Sequence, residues 1–190
     1  GNIIKELDAL GYEAGEGDTL DERILTGYGI EYTYDLYGNL RTMLDPVSKQ
    51  RGLAFTIRYE YDALGRKISE TNAKGVVTLY YYDDADNLLS VNVKKNADAY
   101  EQQIYAYTYD LAGRKLTETD GNGNTVEFEY NALSKERRVI CPGDDTIESN
   151  EIVFQYDVNG NLAYKKDTIG RVELYTYDNQ NRLLSFTGKK

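Results

Sequence analysis

The sequence offers 32 Asp and Glu, one cysteine and no histidine, so any chemistry must come from carboxylates or a lone thiol. Without histidine, Ser-His and Cys-His nucleophilic systems and imidazole zinc sites are excluded. Cys141 has no partner for an intrachain disulfide and reads as an unpaired thiol in a loop. General acid–base work needs two carboxylates in unlike surroundings, and among so many acids no pair stands out. Asp120, Asn122 and Asn124 alternate oxygen ligands as a calcium loop would begin. Position 12 of such a loop would be Asn131, where a Glu is needed. The sister segments Asn72-Ala73-Lys74-Gly75 and Asp167-Thr168-Ile169-Gly170 do not keep the oxygens, so a hairpin turn is the better reading. No Gly-rich phosphate loop is present. The expectation is no catalytic residue, no cofactor and no metal.

The aromatic residues are the other candidates. There are 19 Tyr against 4 Phe and no Trp. Rings can stack on the apolar faces of sugars, or across strands as a structural ladder with each pair worth about 0.2–1 kcal/mol. A binding site is local and a ladder recurs, and here the aromatics recur. Seven segments share an aromatic, any residue, Tyr, then Asp or Asn: Tyr32 to Asp35, Tyr59 to Asp62, Tyr80 to Asp83, Tyr107 to Asp110, Phe128 to Asn131, Phe154 to Asp157 and Tyr175 to Asp178. Four residues after the second Tyr stands Gly38, Gly65, Asp86, Gly113, Ser134, Gly160 or Asn181.

These spacings dictate elements. Aromatics at i and i+2 share one face of a strand, with mostly polar residues between them. Asp after the strand bonds backbone amides two residues on and starts a turn. The Gly, Asn and Asp positions suit a left-handed residue that closes it; Ser134 suits it least, so an irregular turn is expected there. The candidate structural residues are Tyr34, Asp35, Gly38, Tyr61, Asp62, Gly65, Tyr82, Asp83, Tyr109, Asp110, Gly113, Tyr130, Tyr156, Asp157, Gly160, Tyr177 and Asp178. From one repeat Tyr to the next the gaps are 27, 21, 27, 21, 26 and 21 residues, a double repeat of about 48. The prediction is an all-β chain: a long antiparallel meander of about fourteen strands, with no helix longer than about two turns in 28–188. The repeat tyrosines should form a row and stack ring to ring between repeats. Residues 28–190 make up the sheet. Residues 1–27 read as irregular: Leu7-Asp8-Ala9-Leu10-Gly11 looks like a degenerate repeat, and Glu13 to Glu22 like a loop. The long gaps, such as Val47 to Ala54, read as loops too.

The motifs Tyr61-Asp62-Ala63-Leu64-Gly65-Arg66-Lys67-Ile68 and Tyr109-Asp110-Leu111-Ala112-Gly113-Arg114-Lys115-Leu116 resemble the YD or RHS repeat, as does the linking Thr119-Asp120-Gly121-Asn122-Gly123-Asn124-Thr125. The resemblance covers about residues 28–188. It implies a sheet that curves into a hollow β-shell, as in bacterial RHS proteins, wall-associated proteins, insecticidal toxin complexes and teneurins. It also implies a secreted or cell-surface parent and a polypeptide cargo. The family's Asp-Pro-x-Gly motif fails at Asp45-Pro46-Val47-Ser48. The expected function is therefore a non-catalytic wall segment, with a carbohydrate or cell-surface binding module as the alternative.

Net charge is −10, which speaks against nucleic acid or an anionic membrane as partner, since both need clustered Lys and Arg. No apolar run approaches membrane-spanning length. The chain starts Gly1-Asn2-Ile3 and its only methionine is Met43, so it reads as a piece of a longer protein. Its natural partners would be the rest of that shell and its contents, and the isolated piece is expected to dimerise.

Overall fold

A computed structural model describes residues 2–144 and 147–188. The strands are β1 (Lys5–Glu6), β2 (Ile30–Tyr34), β3 (Leu40–Leu44), β4 (Ile57–Tyr61), β5 (Lys67–Asn72), β6 (Val77–Tyr82), β7 (Leu88–Lys94) and β8 (Gln102–Tyr109). They continue as β9 (Lys115–Asp120), β10 (Thr125–Tyr130), β11 (Glu136–Asp144), β12 (Ile147–Tyr156), β13 (Leu162–Lys166), β14 (Val172–Tyr177) and β15 (Leu183–Gly188). Three short helices interrupt them: α1 (Ala9–Glu13), α2 (Leu20–Thr26) and α3 (Pro46–Gln50). The fold is all-β and antiparallel, and the only helix within described residues 28–188 is the five-residue α3.

The chain divides into two compact units, Gly1–Tyr81 with Val91–Gln103, and Tyr82–Ser90 with Ile104–Lys190. In the first, β1 to β6 pair each with the next in sequence. In the second, β8 to β15 do the same. Short turns between successive strands leave no other topology open to a run of hairpins.

Neither unit has a dry core. The buried apolar side chains among the described residues are Val91, 8% exposed, and Val139, 9% exposed. Most strand positions are half-buried, as expected for a single layer whose apolar face has no second layer against it. Tyrosine suits that environment because its body is apolar and its tip stays wet.

Two loop expectations give way to helix. Within Glu13 to Glu22, α2 starts at Leu20, because Thr19 and Glu22 form a reciprocal capping box. The spacing Thr19-Leu20-Asp21-Glu22 carried that signal. Within Val47 to Ala54, α3 forms because Asp45 caps it and Pro46 occupies its first turn, where no amide is needed. The degenerate repeat is also corrected: Asp8 caps α1 by accepting the Gly11 N–H at 2.7 Å and starts no hairpin.

Candidate functional site: the tyrosine face and the turn edge

The seven second tyrosines, Tyr34, Tyr61, Tyr82, Tyr109, Tyr130, Tyr156 and Tyr177, end β2, β4, β6, β8, β10, β12 and β14. An Asx turn follows each. Asp62 is representative: its Oδ1 accepts the N–H groups of Leu64 (3.0 Å) and Arg66 (2.9 Å), and its Oδ2 accepts the Arg66 Nε–H (2.7 Å). Across the turn the Asp62 N–H donates to Arg66 O and the Gly65 N–H to Asp62 O. Asp35, Asp83, Asp110, Asp157 and Asp178 do the same. The fifth residue of these turns is Asn or Arg because either can give Oδ2 an N–H: Asn39, Asn87, Arg114, Asn161 and Arg182 all do. Asn131 has no second carboxylate oxygen, and its fifth residue is Lys135, whose ammonium donates instead to the Gly160 carbonyl.

The left-handed position is occupied in every turn. Gly38, Gly65, Gly113 and Gly160 have φ between 75° and 90°, and Asp86, Ser134 and Asn181 have φ of 66°, 59° and 60°. The expected irregularity at Ser134 is absent: the Ser134 N–H donates to Asn131 O and Asn131 Oδ1 accepts two amides, as in the sister turns. The Asn131 side chain holds the turn closed and so carries Ser134 into αL. The short turns at the other ends of the strands, at Asn72, Asp120 and Asp167, use the same two amide bonds. The Asp120 oxygens that looked like calcium ligands therefore already accept from Asn122 N–H, Asn124 N–H and Asn124 Nδ2.

Where the hairpins of Tyr34, Tyr61, Tyr109, Tyr130, Tyr156 and Tyr177 leave the turn, the register shifts by one residue just before that Tyr, between Glu60 and Tyr61 for example. This bulge interrupts the ladder, and a tyrosine hydroxyl meets the backbone there. Tyr61, Tyr109, Tyr130 and Tyr156 donate to the carbonyls of Leu40 (2.9 Å), Leu88 (2.9 Å), Lys115 (2.7 Å) and Glu136 (2.8 Å), each the first residue of an earlier strand. At these four repeats the hydroxyl gives a reason for Tyr at the second aromatic, which is Tyr in all seven repeats, whereas the first admits Phe128 and Phe154.

The bulge also rearranges faces. In a regular strand i and i+3 point to opposite sides. The added residue places Lys67 opposite Tyr61 and Glu70 opposite Tyr59 on one face, so Lys67 reaches Glu70 at 2.9 Å. Its ammonium lies 5.6 Å from the Tyr59 ring centre and 4.5 Å from that of Tyr80. Lys115 repeats this, with Glu118 at 2.6 Å, Tyr107 at 5.6 Å and Phe128 at 4.7 Å. The expected ring-to-ring row is corrected accordingly. Close ring pairs are Tyr105 with Tyr107 and Tyr175 with Phe186, while successive repeats are joined by ammonium groups between rings and by hydroxyls on carbonyls. Hairpins two strands apart stand about 9.6 Å from one another, a gap that a Lys side chain can bridge and direct stacking cannot.

These contacts set a pH profile. The Arg66 and Arg114 guanidinium groups, then backbone amides, hold Asp62 and Asp110 below the ordinary aspartate range. Asp45 is lowered to about 2 by the Thr56 hydroxyl and by the Ser48 amide and hydroxyl. Burial is the largest single influence on Lys67 and Lys115 and lowers both, but the hydrogen bonds and charge interactions with Glu70 and Tyr80, and with Glu118, Tyr107 and Tyr109, together outweigh it and leave both raised. Burial raises Tyr59, Tyr107, Tyr109 and Tyr156. A lowered acid stabilises above its unfolded value and loses this as pH falls through the folded value. A raised Lys or Tyr stabilises below its unfolded value and loses this as pH rises through the folded one. The urea midpoint should therefore be flat from about pH 5 to about pH 9 and fall on both sides. A midpoint that keeps rising beyond pH 10 would contradict the ring–ammonium contacts.

Comparison with known proteins follows the same lines. Residues 34–77 and 61–94 match the family model described as RHS Repeat. No match was found among curated proteins. Among solved structures, the chain is similar to the crystal structure of TcdB2-TccC3, with TM-score 0.66 and 22% identity over 92% of this chain and 10% of that one. It is similar to TcdB2-TccC3 without its hypervariable C-terminal region, with TM-score 0.58 and 16% identity over 100% of this chain and 11% of that one. It is also similar to the Photorhabdus luminescens Tc holotoxin pore carrying a TccC3 mutation, with TM-score 0.54 and 15% identity over 85% of this chain and 10% of that one. The chain thus spans about a tenth of the length of these structures, and at such identities the likeness is one of fold.

Proposed function

We propose that this chain, whose residues 34–94 match the RHS repeat model, is a non-catalytic wall segment of a larger shell that encloses or presents a polypeptide outside the cell. The observation that carries this reading is where the polar side chains go. The repeat aspartates, the fifth-position Asn and Arg residues and the hydroxyls of Tyr61, Tyr109, Tyr130 and Tyr156 engage the chain's own turns and strands. A site for chemistry needs groups aimed at a substrate, and these are aimed at the backbone. One of the similar structures is named as a Tc holotoxin pore, which supports a wall role for a sheet of the same fold.

The alternative, a sugar-binding face, meets a physical obstacle. The rings of Tyr59, Tyr80, Tyr107 and Phe128 each have an ammonium over them, where a sugar would need to stack. The test uses the full-length gene product. A polypeptide elsewhere in that product should resist trypsin in the native state and be digested once residues 28–188 are deleted. Equal digestion in both forms would overturn the proposal, and saturable binding of this chain on a glycan array would favour the alternative.

A further inference from the structure

We propose that Asn122 is a site of spontaneous, backbone-assisted deamidation in the folded chain, and that the same dipeptide at Asn159 is protected by its neighbours. The sequence has two Asn followed by Gly, Asn122-Gly123 and Asn159-Gly160. Glycine lacks a Cβ, so its nitrogen is the least hindered in reaching the side chain before it. In the reaction the Gly123 nitrogen attacks Asn122 Cγ and gives up its proton. The N–Cγ bond forms, the Cγ–Nδ2 bond breaks, and Nδ2 takes up the proton and leaves as ammonia. Water then opens the cyclic imide at either carbonyl, giving aspartate or isoaspartate. The only co-reactant is water, and either product adds a negative charge.

Both asparagines hold the same place in an Asx turn. The Asn122 N–H donates to Asp120 Oδ1 at 2.8 Å and the Asn159 N–H to Asp157 Oδ1 at 2.9 Å. The Gly123 and Gly160 N–H groups donate to Asp120 O and Asp157 O, each at 3.0 Å. Ring closure needs that last bond broken, so the reaction runs through local opening of the turn. The two turns differ in what else holds them. Residues 121–124 are all exposed, and a Cβ added at Gly123 meets nothing within 4 Å. Among the described residues, the side chains of Asp120, Asn122 and Asn124 make no hydrogen bond outside their own turn. Gly160, by contrast, is buried, and the Lys135 ammonium donates to its carbonyl. In the same turn Asn161 Nδ2 donates to Asn181 Oδ1 of the next hairpin at 2.8 Å. Opening there must break these ties as well. Asp120-Gly121 could form the same imide, but Asp120 accepts three N–H groups, and the Asn124 side chain foremost holds it below the ordinary aspartate range. An ionised carboxylate is a poor electrophile, which leaves Asn122 as the reacting residue. Isoaspartate lengthens the backbone by a methylene, so the Asn124 N–H loses its fit to Asp120 Oδ1 and the turn joining β9 to β10 is weakened.

Ageing the 190-residue chain in mildly alkaline buffer, with and without concentrated urea, and following its tryptic peptides by mass spectrometry tests this. Lys135, Arg137 and Arg138 separate the two sites onto different peptides. In the native chain Asn122 should convert to the acid about ten-fold faster than Asn159, the factor expected from one additional charge-assisted hydrogen bond. In urea the two rates should draw together. Lys135→Met should speed Asn159 and leave Asn122 unchanged, and Asn122→Gln should remove the early acidic species on ion exchange. The comparison of native and unfolded chain stands even if the Lys135 variant fails to fold. Equal native rates, a faster Asn159, or an Asn122 that converts only in urea would each overturn the proposal, and a folded Lys135→Met chain with Asn159 still slow would overturn the protective role of Lys135.

Discussion

Lys67→Leu is expected to lower stability by about 1–2 kcal/mol, and adding Glu70→Met should recover most of it. The single change removes an ammonium seated between Tyr59 and Tyr80 and leaves Glu70, which is only part exposed, facing Tyr59 without its ion pair. Each ring contact is worth about 0.5–1 kcal/mol where solvent has access. Leucine itself fits the position, since Leu40 and Leu183 occupy it in the first and last hairpins. There the residue three along is Met43 or Phe186, opposite Tyr32 or Tyr175. Lys goes with Glu at Lys67 and Lys115 and apolar with apolar at Leu40 and Leu183, while Glu136 with Val139 and Leu162 with Lys165 mix the two. The double variant exchanges one matched pair for the other, and coupling between adjacent sites is where additivity fails. Urea titration of the native, single and double variants measures it. A double variant as unstable as the sum of its parts would show that the Lys67 contacts are incidental.

Much of the fold was legible because repetition fixes both periods at once. Aromatics two apart, then Asp and Gly at fixed offsets, specify strand and turn together, and seven copies leave no ambiguity about which segments are strands and which are turns. The helices were missed for the opposite reason. Each occurs once, and α2 and α3 rest on a few capping residues, Thr19 with Glu22 and Asp45 with Pro46, which the strong β pattern overshadowed. The links between repeats were partly legible. The invariance of the second Tyr within this chain was a signal for its hydroxyl that the stacking expectation passed over. That the hydroxyl meets a carbonyl, and that Lys67 and Glu70 share a face, depends on the bulge. A bulge is a count of residues on two paired strands, which one strand's sequence does not contain. The ring-stacking expectation failed at the same point, since it treated each hairpin as regular and ignored the distance between neighbouring hairpins.

Gly65→Val should cost about 1–2 kcal/mol, while Gly65→Asn should be close to neutral. Gly65 sits at φ +81°, and a Cβ added there meets nothing within 4 Å. No clash complicates the comparison, so the loss measures backbone conformation alone. Left-handed backbone is costly for an L-residue and most costly for a β-branched one, because the branched carbon crowds its own carbonyl. Asparagine tolerates the region through its short polar side chain, and the sister position Asn181 adopts it at φ +60° within the same hydrogen-bonded turn. The turn is anchored independently of residue 65, by Asp62 accepting the amides of Leu64 and Arg66. The variant should therefore fold with the same hairpin and melt lower, by about 2–4 °C per kcal/mol for a chain of this length. Thermal denaturation of the two variants side by side checks it. If valine and asparagine melt together, the left-handed residue does not limit turn stability, and the glycines at Gly38, Gly65, Gly113 and Gly160 need another explanation.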